Sequence, residues 1–400
     1  MLARQPIETP AAGVASGFSV MPGGPLYELY MRSRLTNEAL ALVHRRMIVL
    51  PIIAWLPLLI LALADGRAWS GTEMPFLRDV GTQVRFLVAM PLLIGAELVV
   101  HRAMPTVVQQ FLERGLVPAS ARACFDAAVR SAIRLRGSGM AELVLLILVY
   151  ALGVGVLWRL ALSADVPTWY HMRDASGFRP TLAGWWFGLV SLPLFQFLFY
   201  RWYWRLFIWG RFLFQVMRGG LELIPLHPDR TAGLGFLNIF ALQLIPLLFA
   251  QGALAAGKVA NDILYRGATL QGVQLEILFT AIILVVLVVA PLMVFTPLLH
   301  RLRRTGLREY GALGQDYVRA FHEKWMAGAR NDEPLLGTAD IQSLADLGNS
   351  YDVVREMAHV PVSRRTLLAL LIVTLAPFAP LLLTAFSFDE LVARAVKFLI

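Results

Sequence analysis

Residues 277–299 read ILFTAIILVVLVVAPLMVFTPLL, 23 positions in a row without a charged side chain. About 20 apolar residues suffice for a helix to cross the hydrocarbon core of a bilayer. A helix is the form such a segment takes in lipid, because it satisfies every backbone N–H and C=O within itself. A second uncharged run of 23, residues 366–388, reads TLLALLIVTLAPFAPLLLTAFSF. Working outward from these two, the apolar pattern predicts seven spans, at about 47–64, 86–100, 143–162, 182–200, 234–256, 277–299 and 366–386. The second is the weakest, since Glu97 interrupts it. The expected fold is all-α: a polytopic helical membrane protein of about seven transmembrane helices with a small helical cytoplasmic layer. Composition agrees, with 58% hydrophobic and 16% charged residues, against about 45–50% and 25% in soluble domains.

Nearly every span carries proline: Pro51, Pro57, Pro91, Pro193, Pro246, Pro291, Pro297, Pro377 and Pro380, with Gly153 and Gly155 in the third instead. Kinked helices are therefore expected. Their freed carbonyls are open to water, side chains or ions.

The net charge is +9. The basic residues flank apolar spans, so they point to anionic lipid headgroups and orientation rather than to nucleic acid. With a cytoplasmic N-terminus, 26 of the 36 Lys and Arg residues fall on the inner side. Dropping the second span gives a six-helix rival with an outer N-terminus and 24 inside, so charge alone does not choose. Both place loops 101–140, 201–234 and 300–365 in the cytoplasm and the C-terminus outside. No short apolar run precedes Met47, so no cleavable signal peptide is expected. Residues 1–25 read as a mobile tail, and 26–46 as an amphipathic surface helix. Residues 118–136 predict another amphipathic helix, with Phe125, Ala128, Val129, Ala132 and Ile133 on one face and Gly137 as its stop. Ser387 and Glu390 form a capping box for a short outer-face helix over 388–399.

Polar residues in three places mark candidate sites. Glu97 and His101 lie four apart inside the second span and share a helix face. They read as a structural pair, as a carboxylate neutralised by an arginine such as Arg201, or as a proton or cation relay. Residues 195–214, FQFLFYRWYWRLFIWGRFLF, interleave 11 aromatic residues with arginines. Arg201 and Arg205 share a face there, suited to lipid phosphates, ring stacking or an anionic substrate. In LHPDR, His227, Asp229 and Arg230 read either as a helix boundary, with Asp229 as cap, or as a polar site. An H-x-D pair lacks the three or four ligands of a metal centre. The single cysteine, Cys124, excludes a Cys-rich one. No metal or cofactor is expected, and no nucleotide-binding or hydrolase motif is present.

Two segments, IPLHPDRTAGLGFL (224–237) and LLGTADIQSLADLGNSYDVVREM (335–357), resemble an uncharacterised family of bacterial multi-pass inner-membrane proteins. The resemblance covers most of the chain from about residue 26. It implies a bacterial inner membrane and no particular activity. Read from its residues, 335–357 is an amphipathic helix with an acidic surface, expected to dock on the Arg-rich 118–136 helix or on a cytoplasmic partner. The leading expectation for function is a transporter-like or channel-like protein whose polar site sits at the cytoplasmic boundary. Its residues would be Glu97, His101, Arg201, Arg205, His227, Asp229 and Arg230. Two alternatives stay open: a scaffold or sensor that binds a cytoplasmic partner, and an enzyme acting on lipid-linked phosphate.

Overall fold

The structure, a computed structural model, describes residues 17–33, 42–158, 167–174, 177–327 and 338–384. Helices α1 (Pro25–Arg32) and α2 (Val43–Ala64) come first. The long α3 (Val80–Glu113) follows. Next come α4 (Arg122–Arg136) and α5 (Gly139–Leu148, continued as the π-helix Val149–Trp158). A short antiparallel hairpin, β1 (His171–Asp174) and β2 (Gly177–Pro180), precedes α6 (Leu182–Arg218). Then come α7 (Phe236–Leu242), α8 (Ile245–Arg266), α9 (Leu270–Trp325), α10 (Ala339–Arg355) and α11 (Arg364–Thr384). Five of these helices are long and apolar enough to cross a membrane, or up to seven if each bent pair counts as one span. The bent pairs are α4 with α5, at 49°, and α7 with α8, at 40°. The described residues of six expected spans each fall on one of these helices, and the span expected at 234–256 falls on the bent pair α7 and α8. The capping box at Ser387 and Glu390 lies outside the described residues.

Helix starts are set by short polar side chains. Asp79, Ser138, Thr181, Thr269 and Ser363 each accept a backbone N–H three residues on, satisfying a donor that the first turn leaves open. Some prolines loosen their helix, whereas Pro51 and Pro57 lie inside the uninterrupted α2. Pro91 and Pro193 each sit just after a π-helical stretch, Val84–Ala89 in α3 and Phe187–Ser191 in α6. Pro193 removes the N–H that would bond the Leu189 carbonyl, and the Tyr150 hydroxyl donates to that carbonyl instead, at 3.2 Å. Pro291 lies in the 3-10 stretch Ala290–Phe295 that interrupts α9.

The connections sort to two ends. At one end, the α2–α3, α5–α6 and α8–α9 regions meet. Met74 bridges Thr168. Asp79 accepts from Trp169 Nε1 and Asn261 Nδ2, and the Tyr265 hydroxyl donates to the Arg78 carbonyl. At the other end, Glu222 N donates to the Leu116 carbonyl and Ala358 N to the Arg230 carbonyl. Ser363 N donates there to Asn238 Oδ1. Helix α3 therefore runs from one end to the other. The six-helix alternative would leave residues 65–79 and 101–140 at the same end, opposite to residues 167–181. In the structure, residues 67–76 lie against residues 167–171.

Buried Phe86, Phe111, Phe125, Trp202, Trp209, Phe212, Phe236 and Phe295 form the centre. Outward, α2 shows Ile48, Ile52 and Ile60, and α9 shows Leu275, Phe279 and Val286, all strongly exposed. Helix α4 buries the expected Phe125, Ala128, Val129 and Ala132 against α6. Two expectations need correction. Residues 17–24 are no loose tail: Phe18, Ser19, Val20 and Met21 are buried within the bundle, where an apolar stretch escapes water and its backbone finds side-chain partners. The acidic α10 does not dock on α4. It lies along the distal half of α9, where Asp340 accepts from Lys324 Nζ at 2.9 Å and Trp325 Nε1 at 3.0 Å. These bonds hold the Asp340 carboxyl below its usual range. Arg303 also reaches the Arg355 carbonyl at the end of α10. Of the acidic residues of 335–357, Asp340 is paired with Lys324 of α9, Asp352 with Arg355 and Glu356 with Arg230, so these three need no cation of α4.

Helices α8 and α11 approach closely at Gly252, where a Cβ would land on the Thr374 carbonyl. Gly252→Leu is expected to destabilise the fold by about 1–3 kcal/mol or more, with Gly252→Ala milder. Gly314→Ala, in open space on α9, is expected to be neutral or to stabilise by up to about 1 kcal/mol. Unfolding midpoints in detergent compare the three.

Candidate functional site

Glu97 sits in the middle of α3 and is 3% exposed. Its Oε2 accepts from Arg46 Nη1 of α2 and its Oε1 from Arg205 Nη1 of α6, both at 2.7 Å. Both partner arginines are themselves buried. One turn before Arg205, Arg201 pairs with Glu142 of α5 at 3.2 Å. Three cations and two carboxylates thus meet where α2, α3, α5 and α6 converge. Arg46 Nε and Nη2 are buried without a hydrogen-bond partner, whereas Arg201 and Arg205, with Arg136 and Glu142, hold the N-terminal segment. Arg205 Nη2 donates to the Met21 carbonyl at 3.1 Å, and Arg201 Nη2 to the Gly23 carbonyl at 2.8 Å. Leu26 N donates to Glu142 Oε2 at 2.8 Å, and Arg136 donates to the Ser19 carbonyl. The Arg46 guanidinium stands over the Tyr30 ring at 5.1 Å. Burial, with the Glu97 charge adding to it, pushes the Tyr30 phenol up to about 12.

Of the residues expected to act together, Glu97, Arg201 and Arg205 are in this cluster. The structure selects neutralisation by arginine, but the partners of Glu97 are Arg46 and Arg205, while Arg201 takes Glu142. Arg201 and Arg205 are not headgroup anchors. They fall on the same face of α6 as Leu198, Trp202 and Trp209, which packs inward. The expected ring stacking is present, with Arg205 over Trp202 at 5.5 Å. His101 does not take part in the Glu97 ion pairs. It is half-buried, and its Nδ1 is buried without a hydrogen-bond partner.

His227, Asp229 and Arg230 lie elsewhere, beside the end of α3. The Gly233 carbonyl accepts from Arg114, which follows Glu97 by 17 residues, roughly 25 Å along a helix axis. Asp229 organises this loop: Oδ1 accepts from Thr231 N and Gly233 N, and Oδ2 from Gly235 N. Burial alone would raise its pKa. Those three backbone N–H groups, with His227, outweigh burial and hold the carboxyl below its usual range. They also stabilise the left-handed backbone of Arg230 (φ 56°) and Ala232 (φ 55°), a conformation non-glycine residues adopt at a cost. His227 Nδ1 lies 2.9 Å from Asp229 Oδ1 and 3.3 Å from the Asp229 amide. The two contacts need opposite tautomers. The shorter one is the stronger and places the proton on Nδ1. Arg230 pairs with Glu356 at 2.6 Å on the surface. The geometry is that of a helix boundary in which Asp229 caps the approach to α7. Among the described residues, no group of three or more His, Cys, Asp or Glu side chains is placed to hold a metal ion.

A polar cleft of about 460 Å³ opens at the opposite end of the bundle. Along α8 its wall runs from Arg266 to Leu254, twelve residues or roughly 18 Å of helix. Asp79, Arg85, Gln196, Tyr200 and Lys258 bring polar atoms to it. Both Arg85 and Phe187 belong to π-helical stretches. Such stretches widen a helix locally and recur at functional sites. Asp79 is satisfied by Thr82, Trp169 and Asn261. Asp262 pairs with Arg266 at 2.9 Å, and Lys258 with Glu276 at 2.9 Å. Arg85 has the Phe187 ring at 5.9 Å. Among the described residues, no carboxylate lies within ion-pair distance of it. Sequence reasoning passed over Arg85, Arg46 and Glu142 because each looks like an ordinary charge at the edge of an apolar run. The nearest signal was the proline six residues after Arg85. No known protein family, characterised protein or solved structure matches this chain.

Glu97→Leu leaves Arg46 and Arg205 buried without a counter-charge, and is expected to cost about 3–5 kcal/mol. Adding Arg205→Leu to it is expected to recover part of that loss, read from unfolding in detergent. For the loop, Asp229→Ala removes the acceptor of three N–H groups and is expected to cost about 1–3 kcal/mol. Because the folded carboxyl titrates below its unfolded value, its contribution is complete above pH 4 or so and is lost as pH falls further. Asp229→Asn should therefore flatten that part of the acid limb of a stability–pH profile. An unchanged acid limb would contradict the assigned role.

Proposed function

We propose that this chain is a multi-pass membrane protein of the transporter type, drawn with its cleft open to one side and its opposite mouth closed. The carrying observation is the polar cleft beside Arg85. Its wall extends roughly 18 Å along α8, from Arg266 to Leu254. The closure is the Arg46–Glu97–Arg205 cluster, midway along α3, with residues 18–24 wedged against it. Kinked and π-widened helices α3, α5 and α6 surround the path between them, as in proteins whose helix bundles rock about a central site. By the charge distribution of its loops, the cleft faces the outer side and the cluster the cytoplasm. The resemblance to bacterial inner-membrane proteins supports that membrane as the location. The outer polar site differs from the cytoplasmic-boundary site expected from Glu97 and His227. In this reading those residues form a gate and a loop cap.

A second reading, a scaffold that binds a cytoplasmic partner, is supported by the α9–α10 hairpin. It exposes Leu313, Val318 and Ile341 and encloses a groove of about 330 Å³ beside Tyr310 and Tyr351. The lipid-phosphate enzyme reading has less support, since His227 and Asp229 are engaged in the loop.

The test uses cysteine accessibility in proteoliposomes. With Cys124→Ser as background, Leu254→Cys is expected to react with a membrane-impermeant maleimide added on the Arg266 side. Weakening the closure, by Arg205→Gln or by removing residues 1–24, is expected to make the same position reactive from the other side too. Reactivity that stays one-sided in both folded variants would favour the scaffold and overturn the transporter reading.

A further inference from the structure

Resting on the transporter reading, we infer that the cleft takes a small organic monoanion, with its charged group at Arg85 and an apolar body against the surrounding rings. The acidic groups near the cleft are already engaged: Asp79 by four donors and Asp262 by Arg266. Of the basic groups on the walls, Arg85, Lys258 and Arg266, Lys258 is paired with Glu276 and Arg266 with Asp262, which leaves Arg85 as the wall cation with no carboxylate within ion-pair distance among the described residues. Arg85 is the innermost of the three, about one and a half turns into α3, with a planar fork suited to a carboxylate or a phosphate ester. Around it stand Tyr170 stacked on Phe187 at 5.6 Å and Phe195 stacked on Phe199 at 6.0 Å. All four rings line the cleft, so a ligand that is only charge would leave this apolar surface uncovered. A volume near 460 Å³ lies in the lower part of the range of small-molecule sites. A single guanidinium compensates a single negative charge.

A lipid headgroup carries the same chemistry, and the experiment separates the two sources. The full-length protein in detergent is titrated with benzoate, with benzyl alcohol and benzylamine as its neutral and cationic counterparts, and with phosphatidylglycerol. The readout is the thermal unfolding midpoint, which rises with any ligand that binds only the folded state. Benzoate is expected to raise it, and its counterparts to have little effect. Arg85→Gln is expected to weaken apparent benzoate affinity by roughly 10- to 100-fold, and Arg85→Lys, which keeps the charge, by less. A response to benzyl alcohol equal to that of benzoate, a preference for benzylamine, or an undiminished benzoate response in Arg85→Gln overturns the inference. A shift with phosphatidylglycerol and none with benzoate overturns it in favour of a lipid seat. Benzoate binding without flux across proteoliposomes leaves the anion site standing and removes the transporter reading. Flux confined to cations does the reverse.

Discussion

The carboxylate of Glu97, held between two guanidinium groups at 2.7 Å each, is the constraint on which the bundle depends. An ionised carboxylate and arginines in an apolar interior are tolerable only together, since removal of one leaves the others desolvated without return. Each of these groups comes from a different helix. Satisfying the charges therefore fixes the angular positions of α2, α3 and α6 about one another. Hydrophobic packing is non-directional, and against lipid it supplies little drive for one helix to meet another. The ion cluster supplies the missing specificity, and Glu142 with Arg201 extends it to α5.

The same cluster explains why residues 18–24 can lie inside the protein. An extended segment brings carbonyls and N–H groups that helices satisfy internally and it does not. Arg136, Arg201, Arg205 and Glu142 meet those groups directly. At one end of the bundle, Asp79 does similar work on a smaller scale. It caps α3 and ties the Trp169 and Asn261 segments to that cap. The two regions differ in character: the middle of the bundle is closed by charge pairs and backbone, while the end at Asp79 retains a polar opening beside a cation.

Much of the fold was legible in the sequence. The uncharged runs at 277–299 and 366–384 form helix, and several span prolines, Pro91, Pro193, Pro291 and Pro380 among them, fall beside or in π or 3-10 stretches, while Pro51 and Pro57 do not disturb α2. The amphipathic stripe of α4 appeared with its stop at Gly137. What periodicity does not carry is which charged residues meet. Arg46 and Arg85 both stand at the border of an apolar run, where flanking arginines are common. Only the long continuation of α3 beyond its apolar window turns Arg85 into a wall of a cleft, and only the position of α2 brings Arg46 to Glu97. For the same reason 195–214 was misread as an anchor: its arginines alternate with rings that face both inward and outward. The HPDR loop was legible as a boundary, because proline and glycine state backbone geometry directly. The burial of residues 18–21 had no signal beyond a brief apolar texture.

The partners of that N-terminal segment lie far along the chain. Met21 and Gly23 are bonded to arginines 184 and 178 residues later. A ribosome makes these residues long before it makes α6, so during synthesis they have nothing to bind. They settle into place only after the sixth helix has emerged and docked. The earliest-made part of the described protein thus waits for the sixth helix, and its seating reports that α5 and α6 have come together around it.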